Sequence, residues 1–148
     1  MTQMTTEDRL SADEWLDQLD TDAALRVMLD SQAEAISALR TALPQITAAA
    51  QALHTRLASS DAGRLAYIGA GTSARIGVQD GAELLPTFGW PDRRTAFIIA
   101  GGKKALLQPV ENAEDDELAA QADIARFALG PDDCLIGLAA SGSTPFTC

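Results

Sequence analysis

Tyr67-Ile68-Gly69-Ala70-Gly71-Thr72-Ser73-Ala74-Arg75 is the stretch on which the fold of this 148-residue chain turns. The apolar run from Leu65 to Ile68 reads as a buried strand. It breaks into two glycines, then two hydroxyl residues, then the start of a helix. A glycine turn lets the backbone approach a ligand closely. The helix start offers unpaired N–H groups and a positive dipole end to an anion. Two readings stand at this point. One is a phosphate cradle; the other is a plain strand-to-helix turn with Thr72 or Ser73 as the N-cap. Gly69-Ala70-Gly71 also opens like a dinucleotide fingerprint, with Ala74 at its third glycine, but a lone match of that kind is weak.

A second turn of the same type follows. Cys134-Leu135-Ile136-Gly137-Leu138-Ala139-Ala140 is another apolar strand candidate, and it runs into Ser141-Gly142-Ser143-Thr144. Pro145 comes next, a residue favoured in the first turn of a helix. In a parallel α/β sheet both loops leave the carboxyl ends of strands and can meet one ligand in the crevice there. Two uncharged hydroxyl loops suit a sugar phosphate better than a nucleoside triphosphate. The chain has no G-x-x-x-x-G-K-[ST] loop.

Outward from these loops the chain alternates after Gly63. Strand candidates are Arg64–Gly69, Thr95–Ala100 and Asp133–Leu138. Helix candidates are Thr72–Leu85, Lys104–Val110 and Asp115–Leu129, with Gly130-Pro131 as a helix stop. This alternation indicates βαβ units, and so an α/β fold with a parallel sheet flanked by helices. Before it, residues 1–20 read as a polar arm carrying Trp15, and residues 21–148 as N-terminal helices plus the first part of a ligand-binding domain. From Asp22 to about Ser59 the residues Ile36, Leu39, Leu43, Ile46, Ala50, Leu53 and Leu57 recur at steps of three and four, which puts them on one helical face. Core packing is the ordinary account of such a stripe, and a dimer seam the secondary one. Pro44 implies a kink or two abutting helices. The sequence stops just after the third strand and its loop, which leaves a sheet edge open.

The formal net charge of −10 argues against nucleic acid and anionic membranes as partners. Cys134 and Cys148 imply no disulfide framework. With no signal peptide and no spanning apolar run, a cytoplasmic location is expected. His54 has no metal-ligand partners in its helical stretch, so neither a metal nor another cofactor is expected.

Five segments occur in order that resemble one family: Tyr67 to Ser73, Ala82-Glu83-Leu84-Leu85-Pro86-Thr87-Phe88-Gly89, Ile99-Ala100-Gly101-Gly102, Val110-Glu111-Asn112-Ala113-Glu114-Asp115-Asp116, and Ala139 to Pro145. Together they look like the N-acetylmuramic acid 6-phosphate etherases of the sugar isomerase (SIS) superfamily, and the resemblance runs from about Thr5 to the last residue. The glucokinase regulatory protein is similar to the same family. Those etherases are roughly twice as long, so the chain looks like an N-terminal half.

The resemblance implies an SIS-type fold and a reaction: cleavage of a D-lactyl ether to give D-lactate and N-acetylglucosamine 6-phosphate. It implies Glu83 as the general acid, its pKa raised by apolar neighbours such as Phe88, and Glu114 as the base. Gly71, Thr72, Ser73, Ser141, Gly142, Ser143 and Thr144 would hold the phosphate, in a homodimer when complete. Without it, Glu114 is one member of an acidic run, Glu111 to Glu117, in which Glu111 and Glu117 read as a solvated face. Pro86 should end the helix that carries Glu83. The chain departs from the family pattern at Ala74, where a glycine is usual and a methyl would sit near the ligand, and at Leu10, where asparagine is usual. Two alternatives remain: a sugar-phosphate-binding regulatory module like the glucokinase regulator, and an inactive truncated remnant.

Overall fold

A computed structural model describes residues 15–148. Thr6, Glu7, Leu10 and most of the N-terminal arm lie outside the described residues. These residues form two compact units, 15–52 and 53–148.

The first unit holds a short 3-10 turn, Leu16–Gln18, and most of helix α1, Thr21–Ala58. Asp20 starts α1 by accepting the Ala23 amide at 2.8 Å, an N-cap that satisfies one orphan donor. One helix runs through Pro44, so the abutting pair expected there is not formed. The apolar stripe is exposed: Ile36, Leu39, Leu43 and Ile46 are between 44 and 58 % accessible. Leu53 and Leu57, the last residues of the stripe, fall in the second unit and are half-buried there.

The second unit is the α/β domain. β1 (Leu65–Gly69), β2 (Thr95–Ile99) and β3 (Cys134–Leu138) form a parallel sheet in the order β2-β1-β3. Gly69 is opposite both Ile99 and Leu138, so the three strands end level. β1 is covered on both faces, as its continuous apolar run requires.

Alternate residues of the strands feed two cores. On one face Ile68, Ile98, Ala120 and Phe146 pack with Phe127 of α3 (Glu117–Phe127). On the other, α2 (Gly71–Phe88) lies on Tyr67 and Phe97, whose rings stack at 5.8 Å. α2 comes this close because Ala74, Gly77 and Gly81, its buried residues, form a small-residue face. A methyl added at Gly81 would sit 2.5 Å from Cε1 of Phe97. The Tyr67 hydroxyl donates to Oδ2 of Asp80 at 2.6 Å, and burial followed by this bond holds the phenol far above its ordinary pKa.

Two arginines secure the end of the sheet where the strands begin. Arg94 is buried and donates to the carbonyls of Gly63, Leu57 and Ser60 at 2.6, 2.7 and 2.8 Å. Arg64 pairs with Asp133 at 2.7 Å, and Asp133 also accepts the amides of Arg64 and Gly130.

Three helix boundaries differ from expectation. α2 continues through Pro86 to Phe88 and stops at Gly89, which is left-handed at φ 68° and donates to the Leu85 carbonyl. The region expected as a helix over Lys104–Val110 is a 3-10 turn, Gly102–Leu106, and α3 stops at Phe127, with Ala128 in the left-handed conformation.

Candidate functional site

Both hydroxyl loops leave the same end of the sheet, as the level register of β1 and β3 requires. The first is set by glycine at two points. A methyl on Gly69 would sit 3.1 Å from the Ala74 amide nitrogen and the Leu138 carbonyl, and Gly71 is left-handed at φ 53°. The N-cap of α2 is Ala70, with no side-chain acceptor, and the Ala74 amide bonds the Ala70 carbonyl at 3.2 Å. Thr72 and Ser73 thus lie inside the first turn, and neither is the N-cap of the plain-turn reading. In the second loop Ser141 Oγ accepts from the Ser143 amide at 3.2 Å and from Ser143 Oγ at 3.0 Å, with Gly142 at φ 69°. Pro145 sits in a turn, with the amides of Thr147 and Cys148 on the Thr144 carbonyl.

A cleft of about 210 Å³ opens at this end of the sheet. Gly71 and Arg75 of α2 line one side, and Glu111, Asn112 and Glu114 of the segment after β2 line the other. That segment is folded by three local features. Gly101 is left-handed at φ 76°, and a methyl there would sit 2.9 Å from Val110. Asn112 takes φ 59°, a conformation asparagine tolerates better than most residues. Ala113–Asp115 then forms a 3-10 turn leading to Asp116, which caps α3 by accepting the Ala119 amide at 2.8 Å. The Phe146 amide, from the turn after the second hydroxyl loop, donates to the Glu114 carbonyl at 2.9 Å.

Of the sequence candidates, this cleft brings together Gly71 and Glu114. Thr72, Ser73, Ser141, Gly142, Ser143 and Thr144 do not line it. Glu83 is elsewhere. It is exposed, ~18 Å along α2 from Gly71 at the usual helical rise, and about 200° round the axis from sheet-facing Gly81. Phe88 is 76 % exposed, so within the chain it does not bury Glu83. Ala74 is buried with Ile99 and Ala105, so its methyl belongs to the core rather than to a ligand.

Glu111 is exposed, in keeping with a solvated face, and it also lines the cleft beside Glu114, because the turn at Asn112 returns it to the same wall. Glu117 lies against a different cavity. Sequence reasoning also passed over Arg75 and Asn112. The signal for Arg75 was present, since a residue four positions after Gly71 lies one helical turn behind it.

A model of the glucokinase regulatory protein N-terminal SIS domain family matches residues 45–148. Among curated proteins, the N-acetylmuramic acid 6-phosphate etherase of Deinococcus radiodurans is 50 % identical over 131 residues, covering 88 % of this chain and 42 % of that protein. The etherase of Aeromonas hydrophila is 45 % identical over 147 residues (99 % and 48 %), and that of Rubrobacter xylanophilus 40 % over 145 residues (98 % and 48 %). The chain spans about half the length of the curated relatives it matches.

Proposed function

We propose that this chain, which belongs to the family of the glucokinase regulatory protein N-terminal SIS domain and is 50 % identical over 131 residues to an N-acetylmuramic acid 6-phosphate etherase, acts in cleaving the D-lactyl ether of N-acetylmuramic acid 6-phosphate. The observation supporting this reading is the cleft shared by Gly71 and Glu114 in a chain 50 % identical to an etherase.

In the open-chain sugar C1 is an aldehyde, which makes the C2 proton acidic. Glu114 removes that proton. The C3–O bond breaks, its electron pair goes to the lactyl oxygen, and that oxygen takes a proton from Glu83. A C2–C3 double bond remains until water adds across it, giving N-acetylglucosamine 6-phosphate and D-lactate. Thr72, Ser73, Ser141, Gly142, Ser143 and Thr144 hold the phosphate through hydroxyls and amides. No metal or other cofactor takes part.

The protein works as a homodimer in the cytoplasm, with residues 1–20 as an arm and 21–148 as helices plus the first part of the SIS domain. The outward position of Glu83 on α2 supports dimerisation, because the acid then serves the cleft of the second copy.

The test is incubation of the purified chain with N-acetylmuramic acid 6-phosphate. D-lactate and N-acetylglucosamine 6-phosphate appearing in equal amounts support the reading. Sugar phosphate binding without lactate supports a regulatory module instead, which the name of the matched family model favours. Neither binding nor lactate overturns both.

A further inference from the structure

Arg75 is the cationic side chain lining the Glu114 cleft. It is half-buried, and its Nε reaches the Gly71 carbonyl at 3.5 Å, the outer limit of a hydrogen bond. Glu111 and Glu114 line the same cleft, yet Arg75 forms no ion pair with either among the described residues. A guanidinium has five N–H donors in a planar fork that matches a carboxylate or phosphate. Here that fork stands in a small cleft beside the helix start of α2, with most of its donors uncommitted to protein partners among the described residues.

We propose that Arg75 holds the lactyl carboxylate of the substrate and so selects lactyl ethers from other sugar phosphates. The inference rests on the etherase reading above. The substrate carries two anions, and their distances from the reacting carbons decide between them. The lactyl carboxylate hangs from the ether oxygen on C3, next to C2, so it must lie near whichever group takes the C2 proton. Glu114, assigned that task, lines the same cleft as Arg75. The phosphate is on C6, at the far end of the sugar, and the hydroxyl residues proposed to hold it, Thr72, Ser73, Ser141, Ser143 and Thr144, do not line this cleft. A fork on the carboxylate also fixes the direction of the breaking C3–O bond.

The experiment is calorimetric titration of the 148-residue chain with N-acetylmuramic acid 6-phosphate, its lactyl methyl ester, and N-acetylglucosamine 6-phosphate, which lacks the lactyl group. Loss of a charge-assisted pair commonly weakens binding about 10- to 100-fold. Arg75→Gln is expected to weaken binding of the first ligand by that factor and to leave N-acetylglucosamine 6-phosphate within about twofold. Arg75→Lys should lie between, since an ammonium keeps the charge and loses the fork. The unsubstituted chain should prefer the free acid to the methyl ester by a similar factor, which tests the proposal even if a variant fails to fold.

Equal weakening of both sugar phosphates would assign Arg75 to the phosphate and overturn the proposal. So would no weakening of either, or equal binding of acid and ester. If the chain discriminates as expected but releases no lactate, the carboxylate site stands and the etherase reading falls. If it binds no sugar phosphate at all, both fall.

Discussion

The Arg94 guanidinium lies 4.1 Å over the ring of Trp90 and gives its hydrogen bonds to main-chain carbonyls rather than to a carboxylate. Two of those carbonyls, Leu57 and Ser60, belong to the end of α1 and the turn after it, whereas Arg94 immediately precedes β2. Arg94→Met should therefore free three carbonyls at once and lower stability by about 3 kcal/mol or more. Arg94→Lys should rescue little, because an ammonium cannot copy the fork. Urea unfolding midpoints measure both.

At Gly81 two effects oppose each other. Alanine is the better helix former by about 1 kcal/mol, but overpacking a core commonly costs about 1–3 kcal/mol. The added methyl meets the Phe97 ring at 2.5 Å, so the clash wins and Gly81→Ala should be net destabilising. Phe97→Leu in the same chain should recover part of the loss, a non-additivity visible in a double-mutant cycle.

Acid should act through Asp133. Its carboxyl is held at about pH 2, below the usual 3.8, chiefly by the side-chain bond to Arg64, with burial opposing. A depressed folded-state pKa adds stability above the unfolded value and loses it as pH falls toward the folded one. The stability gap between the parent chain and Asp133→Asn should thus be constant above about pH 5 and narrow between pH 4 and pH 2. A gap unchanged down to pH 2 would show that the Arg64 pair does not carry it.

In the proposed reaction, Glu114→Gln should slow lactate release about a hundredfold to ten-thousandfold while sugar phosphate binding persists. Glu117→Gln, facing another cavity, should leave turnover unchanged. Glu111→Gln should lie between these two, since Glu111 lines the same cleft as Glu114. Full activity in Glu114→Gln would remove the base assignment.

Glu83→Gln should be as slow as Glu114→Gln, and the two variants complement each other if each site takes its acid from the second copy. Mixing and re-equilibrating the two inactive proteins should then restore about a quarter of parent activity on random pairing of copies, since a mixed pair holds one intact site. Two inactive variants that never complement would place both glutamates in one chain's site. An active Glu83→Gln would remove the acid assignment itself.

The strands were legible because β1, β2 and β3 are short, largely apolar runs, each preceded by a charged residue, Arg64, Arg94 and Asp133. The expected spans overran the observed ones by at most one residue at either end. Helix ends were harder. Pro86 was read as a stop, but its ring falls in the last turn of α2, and Gly89 makes the real cap three residues on. Gly71 and Glu114 meet in one cleft, which the order of the motifs foreshadowed. The orientation of Glu83 was missed, although Ala74, Gly77 and Gly81 at steps of three and four already marked the packed side of α2 and left Glu83 opposite. Glu111 was missed for another reason: the left-handed turn at Asn112 has no hydrophobic pattern to announce it.

The hydrogen bond from the Phe146 amide to the Glu114 carbonyl gives the site a position in time as well as in space. A ribosome adding about 5–20 residues per second needs about 2–6 s to go from Glu114 to Phe146, 32 positions later. Over that interval the nascent chain has both walls of the cleft but lacks the amide that anchors one of them. A stop codon anywhere from residue 115 to residue 145 would thus release a polypeptide with Glu114 in place along the chain and untethered in the fold. Nonsense and frameshift variants in residues 115–145 should accordingly abolish the site before they abolish the first two strands.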